Sequence, residues 1–410
     1  MKRSSARICV IHHSYFPDEP RVRKAVAVLL DEGYDVDVIC LRNVGEAARA
    51  AWKSATVYRL PVRHQRRGLA RYLWEYGSFF ILASGRLAAL HARRRYAVVQ
   101  VHTLPDALVF AALLPRLTGA RVLLDMQELM PEFAAEKFRF RGASVLVRLI
   151  LVAERHAARF ADGRIAVSPA QAALIEHRVG KACEFVPNVP DATFLQAARS
   201  HVPKDHVPIV IAHARVITEA YGIQLLIKAL PIVLKECSIR ALIVGDGVYL
   251  DQLKREAAEQ QVEEHVEFAG RVPFTAVPNY IARCTAGVIT LLHTPQMEVA
   301  LPNKVFEYAA LGLPVIAPDL PGIRACFGRG AVVYFRTGDQ LDLARKIVRL
   351  LSDPTLRAKT ARRGREAYDE LRWEVSSRKY LDLVDAVASR SHRHTGKRGD
   401  SEPRMHTSSG

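Results

Sequence analysis

The chain has 410 residues, and 59 Lys and Arg residues against 42 Asp and Glu residues give it a formal net charge of +17. Half of the residues are apolar, which excludes a largely disordered chain, and the length indicates two or three domains. Domains of that size bury a core without disulfides or metals. The apolar runs are shorter than the roughly 18 to 20 residues that a membrane-spanning helix requires.

The six cysteines are far apart, without a Cys-x-x-Cys pair or a zinc-binding pattern, and the N-terminus shows no secretory signal. We therefore expect reduced cysteines in a cytosolic protein. The sequence has neither a Gly-x-Ser-x-Gly nucleophile elbow nor a Walker loop, which argues against hydrolases and kinases.

Most of the positive charge lies in the first half of the chain. Residues 1–200 carry 30 basic and 18 acidic residues, a net charge of +12, whereas residues 201–410 carry 29 and 24, a net charge of +5. Residues 63–95 hold eight arginines and one acid, and residues 137–164 hold seven basic and two acidic residues. A negatively charged partner is therefore expected at the first half of the molecule.

Short β-type apolar runs alternate with longer helical patterns, which is typical of parallel βαβ units. Two such series are predicted, with strands at 7–13, 35–41, 97–102, 121–125 and 163–168, and then at 209–214, 240–247, 266–270, 286–292, 313–318 and 331–335. The fold class is therefore α/β, with two tandem, doubly wound, Rossmann-like sheets. Since ligands of such sheets bind outside the carboxyl ends of the strands, the site is expected in the cleft between the domains.

Prolines clustered between 187 and 208 mark the domain boundary, because proline disfavours both helix and central strand. We predict an N-terminal domain at 1–190 and a C-terminal domain at 208–365. A C-terminal helix at 366–389 is expected to pack back on the N-terminal domain, and residues 390–410 to form a disordered basic tail.

One segment combines a helix start, a helix stop and a carboxylate in a pattern that suits ligand binding. Pro302 and Gly312 bracket a predicted helix at 303–311. Asn303 and Glu307 share one face near its N-terminus, where free N–H groups attract an anion such as a diphosphate. A carboxylate one turn further in can accept hydrogen bonds from sugar or ribose hydroxyls. The pattern fits a nucleotide sugar, or an ordinary amphipathic helix with a surface glutamate.

Seven segments of the chain, taken together, resemble family 4 glycosyltransferases of the GT-B fold. They occur in the family's order over about residues 15 to 370, at 18–42, 101–132, 161–175, 186–191, 214–231, 242–247 and 301–322. The resemblance implies two domains with a cleft between them and a sugar transferred from a nucleotide-diphosphate donor. It also implies retention at the anomeric carbon and no metal cofactor.

The resemblance also implies roles for donor-side residues. Glu307 matches the glutamate that binds the donor ribose, and Arg215 matches the arginine that neutralises the diphosphate. The remaining donor-side candidates are Gly222, which opens the next helix, Gly245 and Gly247 in a loop near the nucleotide, and Asn303 and Lys304 at the start of the helix after Pro302.

On the acceptor side, His102 matches a histidine at a strand end that faces the reacting sugar. Asp106 and Glu128 lie near the same edge of the sheet and are further acceptor-side candidates.

The chain departs from the family pattern around the diphosphate site. Family members usually have a glycine before the arginine and a lysine about five residues after it, whereas this chain has Ala214 before it and Ala220 and Tyr221 near the lysine position. We hypothesise that Lys304 replaces the missing cation.

Three further motifs depart from the pattern, so a catalytically silent family member is an open alternative. Val299 replaces the upstream glutamate, with Glu298 one position away; Gln127-Glu128 replaces a His-Glu pair; and His12-His13 replaces a glycine pair.

No metal site is predicted. The two aspartates of residues 35–37 mimic an Asp-x-Asp metal motif, but they open the second strand. No metal-ligand spacing is found among the histidines His91, His156, His177 and His201.

The basic segment at 63–95 surrounds an apolar, aromatic helical pattern that includes Leu73, Trp74 and Phe79. Arginines at both ends of such a stripe are typical of an interfacial helix on an anionic bilayer. A core helix with a solvated charged rim would also explain the aromatic residues. Nucleic acid would fit the net charge, but no recognition module accompanies it, so we expect no nucleic-acid partner.

The sequence therefore predicts a cytoplasmic glycosyltransferase, peripherally attached to the inner face of the plasma membrane. Its C-terminal domain holds a nucleotide sugar, and its basic N-terminal domain holds a lipid-linked or saccharide acceptor. The alternatives are a silent sugar-nucleotide-binding protein and a non-hydrolysing sugar-nucleotide epimerase, which shares the two-domain architecture.

Overall fold

The computed structural model describes residues 6–64, 69–137, 144–198 and 207–395. In the first half these residues form β1 (Arg7–Tyr15), α1 (Pro20–Asp31), β2 (Asp35–Leu41), β3 (Arg49–Trp52), β4 (Ala55–Leu60), α2 (Leu69–Arg94), β5 (Val98–His102), a 3-10 helix (Asp106–Ala112), α3 (Leu113–Leu117), β6 (Arg121–Met126), α4 (Met130–Lys137), α5 (Val145–Phe160), β7 (Gly163–Ala166), α6 (Pro169–Val179) and β8 (Glu184–Phe185).

The second half begins with α7 (Ala192–Ala197), and its strands are short and connected mostly by helices. They are β9 (Ile209–Val216), a 3-10 helix (Glu219–Tyr221), α8 (Ile223–Val233), β10 (Arg240–Asp246), α9 (Leu250–Glu259), β11 (Val266–Gly270), α10 (Val277–Ala282), β12 (Ala286–Val288), α11 (Pro295–Val299), α12 (Asn303–Ala310), β13 (Val315–Pro318), α13 (Pro321–Cys326), β14 (Val333–Phe335), α14 (Gln340–Ser352), α15 (Pro354–Leu371) and α16 (Trp373–Thr395), with short 3-10 helices before β11 and α10.

The strands form two separate sheets. The first has the order β3-β4-β2-β1-β5-β6-β7-β8 and the second the order β11-β10-β9-β12-β13-β14. All pairs are parallel except β3 with β4, which are antiparallel. The predicted α/β class with two doubly wound sheets is therefore confirmed.

Three strands were not predicted. Strands β3 and β4 form a hairpin at one edge of the first sheet, and β8 contributes two residues at the other edge. Strands β3 and β8 lie at the two edges, where a strand buries little of its surface and does not need the apolar run that marks a central strand. The residues of β3 are accordingly exposed or half-buried. Strand β4 is an inner strand, and its apolar run is interrupted by Thr56 and Arg59.

Both faces of the first sheet are covered by helices. On one face α2 and α5 bury side chains such as Phe79 and Ala157, and on the other α1 buries Val22 and Leu29. The long helix α16 returns from the end of the chain to this second face, where Leu381 and others are buried. Within the described residues, every helix is too short or too polar to cross a bilayer.

The predicted C-terminal helix at 366–389 corresponds to the end of α15 and most of α16. Helix α16 continues to Thr395, so the segment from 390, which was predicted as a tail, begins as helix. Residues 396–410 lie outside the described part of the chain.

A buried ion pair fixes the first sheet to the connection between the domains. The Arg21 guanidinium, on α1, donates from Nη2 and Nε to both oxygens of Asp125 at 2.8 and 2.9 Å, and from Nη1 to the carbonyl of Val186 at 3.1 Å. One turn later Lys24 donates to Asn188 at 3.1 Å and to the carbonyl of Val189. Helix α1 therefore holds the chain where it leaves the first domain.

Replacement of Arg21 is expected to destabilise the first domain. Arg21→Met leaves the Asp125 carboxylate buried without its partner, and we expect a loss of about 3 to 5 kcal/mol in the free energy of unfolding, measured by urea denaturation. Arg23→Met is the control, because Arg23 is partly exposed and lies 3.7 Å from Asp191. Equal losses in the two variants would contradict the role of the buried pair.

Candidate functional site

The cleft between the two sheets is lined on the C-terminal side by the carboxyl end of β9. This strand lies at the centre of its sheet, where the strand order reverses between β10 and β12, and such a switch point is where ligands bind. Arg215 stands at this end with 76% of its side chain exposed, and its nearest carboxylate is Glu19, across the cleft at 4.0 Å. The guanidinium predicted for the diphosphate is thus at a strand end and accessible.

Glu307 lies one turn into α12 and is only 7% exposed. Its Oε2 is 2.6 Å from Nε2 of His213, a β9 residue, and the other ring nitrogen of His213 is 2.8 Å from the hydroxyl of Tyr308. Tyr308 in turn donates to the carbonyl of Ile211 at 3.2 Å. The glutamate is therefore fixed to the strand that carries Arg215. Sequence reasoning missed His213, although a histidine in an otherwise apolar strand is a visible signal.

The helix predicted at 303–311 is confirmed, with Pro302 as its N-cap and Gly312 just past its end at φ 73°. Asn303 is exposed at its first position. The ammonium of Lys304 lies 4.1 Å from the ring centre of Tyr221, the residue that stands near the missing family lysine. Burial lowers the pKa of Lys304 to about 7, and Glu307 opposes this effect.

The three candidate glycines shape the loops around Arg215. Gly245 has φ 138°, and a Cβ there would lie 1.9 Å from the carbonyl oxygen of Ala214. Gly222 has φ 66°, and its Cβ would lie 1.9 Å from the carbonyl of Thr290. Gly247 packs as closely on Ile217. Only glycine permits these approaches, so Gly245 and Gly247 bring their loop against the chain on either side of Arg215, and Gly222 brings the start of α8 against Thr290.

His102 is predicted to face the reacting sugar, but its side chain is completely buried. Tyr380 donates to the oxygen of Gln100 at 2.6 Å, so the Gln100 amide group, 3.0 Å from His102 Nε2, is the donor in that contact. The other ring nitrogen, Nδ1, lies 3.1 Å from Asp125 and 3.2 Å from the amide nitrogen of Gln127. The cause is the position of His102 inside the sheet, paired with His12 and Asp125 on its two neighbouring strands.

The two further acceptor-side candidates, Asp106 and Glu128, lie in different environments. Asp106 is buried, and neither of its oxygens has a hydrogen-bond partner among the described residues. Burial, with Glu154 and Glu132 nearby, raises the pKa of Asp106 well above its usual value, so we place it in the interior rather than in the cleft. Glu128 is exposed, and its charge contributes to the raised pKa of Tyr76 and of Tyr221, on opposite sides of the cleft.

Val299, which stands where the family has a glutamate, lies at the contact between the two domains. The carbonyl of Val299 accepts a hydrogen bond from the hydroxyl of Ser168 at 2.5 Å, and Thr294 donates to Glu136 at 2.7 Å. Glu298 points elsewhere and pairs with His293 at 2.7 Å. The two domains are thus joined beside the site, at a position where the family has a glutamate.

The aspartates at 35 and 37 are used in ion pairs, that of Asp37 being with Arg94 at 3.2 Å. Asp37 is buried and accepts a hydrogen bond from Tyr96 at 2.5 Å, while Asp35 lies 3.1 Å from Arg7. A different group, not recognised in the sequence, could hold a metal ion: ligand atoms of His13, His64 and Glu75 lie within 4.8 Å of one another. The sequence carries no local signal for this group, because His64 and Glu75 are 51 and 62 residues after His13.

Two family descriptions match the chain, one for each domain. Residues 19–188 match "Glycosyl transferase 4-like domain", and residues 207–353 match "Glycosyl transferases group 1".

Curated relatives match about half of the chain. A GDP-mannose-dependent monoacylated alpha-(1-6)-phosphatidylinositol monomannoside mannosyltransferase of Corynebacterium glutamicum is 26% identical over 188 residues, 44% of this chain and 48% of that protein. The lipopolysaccharide core biosynthesis glycosyltransferase LpsE of Rhizobium meliloti is 28% identical over 189 residues, 46% of this chain and 52% of that protein. The chain thus spans about half the length of these relatives.

Solved structures share the whole architecture. A sucrose-phosphate synthase from Thermosynechococcus elongatus has a TM-score of 0.75 at 19% identity, covering 94% of this chain and 100% of its own. Anabaena HepE in complex with UDP has a TM-score of 0.66 at 15% identity, covering 93% and 100%. These likenesses confirm the GT-B fold, and with the two domain matches they show that the chain belongs to the family 4 glycosyltransferases.

Proposed function

We propose that this protein transfers a sugar, with retention, from a nucleotide-diphosphate donor to a lipid-linked or saccharide acceptor at the inner face of the plasma membrane. The observation that carries the proposal is the group at the end of β9: the exposed Arg215, and His213 of the same strand holding the buried Glu307 of α12. The names of the relatives support this class of reaction, since they include GDP-mannose-dependent mannosyltransferases acting on phosphatidylinositol mannosides.

The chemical task of the donor side is to stabilise the diphosphate as it leaves the sugar. Arg215 supplies a permanent cation, the N-terminus of α12 supplies free N–H groups, and Lys304 supplies a second cation close to Tyr221. No step requires a metal ion in this arrangement.

Glu307 is suited to hold the ribose. Its Oε2 is engaged by His213, and no hydrogen bond within the described chain involves Oε1, which can accept from a hydroxyl group. Because His213 is fixed through Tyr308, the carboxylate keeps one orientation before the donor arrives.

The acceptor side has the features of an interfacial surface. Helices α2, α3 and α5 are neighbours in the structure, and their outer sides expose large apolar residues: Leu73, Trp74 and Ile81 on α2, Leu113, Leu114 and Leu117 on α3, and Val145, Leu149 and Val152 on α5. Trp74 is 70% exposed. Core packing therefore explains Phe79 and Leu87, which are buried, but not this outer set.

The exposed charged side chains that α2, α3 and α5 contribute to this surface are basic. The only carboxylates of α2 and α5 are Glu75 and Glu154, and both are buried. Arg71, Arg86 and Arg148 are exposed among the apolar residues. Arg66, Arg67, Arg139 and Arg141, which belong to the two predicted basic segments, lie outside the described residues. An anionic bilayer would satisfy both the apolar and the basic groups.

Removal of the donor contacts is expected to abolish transfer. We expect Glu307→Ala and Arg215→Ala each to lower the transfer rate by at least about 100-fold, because each removes stabilisation of the bound donor or of the leaving diphosphate. The assay incubates the protein and a membrane lipid extract with a panel of nucleotide sugars. Mass spectrometry then distinguishes glycosylated product from epimerised nucleotide sugar and from binding alone.

The matched controls are Glu263→Ala and Arg271→Ala, which remove an exposed carboxylate and an exposed cation from the same domain. Their rates should stay near that of the unmodified protein. Near-normal rates for the Glu307 and Arg215 variants would remove these residues from the site, and an epimerised product would replace the proposed reaction.

Donor affinity is expected to depend on the charge of Lys304. The folded pKa of about 7 lies below the usual value, so the ammonium is fully charged only at lower pH. Affinity for a nucleoside diphosphate should therefore be constant below the pKa and decline as the pH rises above about 7, until the pKa of the bound state is reached. Titration calorimetry with UDP and GDP measures this profile.

Two substitutions identify the titrating group. Lys304→Met should bind about tenfold more weakly at low pH and show a flatter profile, whereas Lys304→Arg should keep the affinity without the decline. A decline that persists in the methionine variant would assign it to another group.

Membrane contact is expected to need both the apolar and the basic residues of the α2, α3 and α5 surface. The protein should sediment with vesicles that contain anionic lipid, less with neutral vesicles, and less at high salt. Trp74→Ser with Ile81→Ser should lower the bound fraction severalfold, whereas Leu341→Ser, an exposed position on α14, should not. Equal binding to neutral vesicles, or preferential binding to a nucleic-acid oligonucleotide, would contradict this surface assignment.

A further inference from the structure

A cluster of three potential ligands lies in the first domain, away from the donor residues. It consists of His13 in β1, His64 in the segment before α2, and Glu75 in α2. We propose that these three side chains form a binding site for a divalent transition-metal ion, with Zn²⁺ as the ion that fits best. The proposal does not depend on the sugar-transfer reaction.

The distances suit a shared ion. Nε2 of His13 lies 3.3 Å from Oε1 of Glu75, and Nδ1 of His64 lies 2.5 Å from the same oxygen. Ligands at about 2.0 to 2.1 Å from a tetrahedral zinc ion are separated by about 3.3 Å. The first pair already has this spacing, and the second needs to open by less than the length of a bond.

The orientation of His13 is the second observation. Its ring is packed edge to face against Tyr76 at 4.8 Å and Phe79 at 4.9 Å, so it cannot turn away from Glu75. Only 3% of its side chain is exposed, yet Nε2 has no hydrogen-bond partner within the described structure. A buried nitrogen without a partner is costly, and a metal ion would satisfy it.

The ligand set selects the kind of ion. Two imidazoles and one carboxylate suit Zn²⁺ and related transition metals, whereas Mg²⁺ and Ca²⁺ prefer oxygen ligands alone. Three protein ligands leave a fourth position for water or for a group of a bound molecule. His64 is 27% exposed and so offers a route by which the ion can enter.

The three ligands come from different elements, between which the His64 backbone already donates a hydrogen bond to the Tyr15 hydroxyl of β1 at 3.2 Å. His13 belongs to a central strand of the first sheet, and Glu75 belongs to the helix that carries Trp74 on its outer side. An ion bound here would join the N-terminal part of α2 and the segment before it to the strand. Binding of the metal ion should therefore raise the free energy of unfolding of the domain.

The test uses the full-length protein, without an affinity tag, after treatment with a chelator. Titration calorimetry with Zn²⁺ should give one ion per chain, and mass spectrometry under native conditions should show the same stoichiometry. The thermal midpoint should rise with Zn²⁺ and not with Mg²⁺. Zn²⁺ binding is read directly, so the result stands whether or not the protein transfers sugar.

The variants are chosen to separate binding from folding. His64→Ala changes a partly exposed ligand and should fold normally while lowering the Zn²⁺ affinity at least roughly tenfold. Glu75→Gln should do the same, with circular dichroism as the check on folding. His177→Ala, an exposed histidine of α6, is the control and should bind as the unmodified protein does. Absence of stoichiometric Zn²⁺ binding, or equal affinity in all variants, would leave only a hydrogen-bonded His64–Glu75 pair and overturn the proposal.

Discussion

The buried ion pair between Arg21 and Asp125 is the interaction on which the first domain and its edge of the cleft depend. Burial alone would raise the pKa of Asp125, but Arg21 and His102 together hold it well below its usual value, so the carboxylate stays charged in the interior. A buried charge requires partners on every side. Asp125 obtains them from α1 and β5, and Arg21 extends the network to the carbonyl of Val186, where the chain leaves the domain.

The two sides of the cleft differ in the charge and burial of their titratable side chains. At the end of β9 a cation is exposed and a carboxylate is held by a histidine, which prepares the surface for a charged ligand. At the ends of β1 and β5 the histidines are buried instead. Burial lowers the pKa of His12, and burial with His64 nearby lowers the pKa of His13 to about 3, so both rings are neutral.

The sequence predicted eleven of the strands and the helix at 303–311, because central parallel strands and a helix bounded by Pro302 and Gly312 leave local signals. The roles of Arg215 and Glu307 came from the family resemblance, and the structure places them at the end of β9 and one turn into α12. The sequence could not predict contacts made by packing across the sheet. The burial of His102 depends on Asp125 and Gln100 in the folded sheet, and Asp106 turns inward towards Glu154, although both had been placed at the cleft by their motif. Edge strands and widely separated ligand sets have no such local pattern.

Helix α2 combines two roles because consecutive residues of a helix point in different directions. Trp74 points outward into the exposed apolar and basic surface, whereas Glu75 and Phe79 point inward to His13 and the core. The surface proposed to meet the membrane and the interior near the acceptor side are therefore parts of one rigid element. Tyr76 and Phe79 of the same helix pack directly on the His13 ring. The exposed apolar and basic residues of α2 and the ring of His13 are therefore connected by one helix, without an intervening loop.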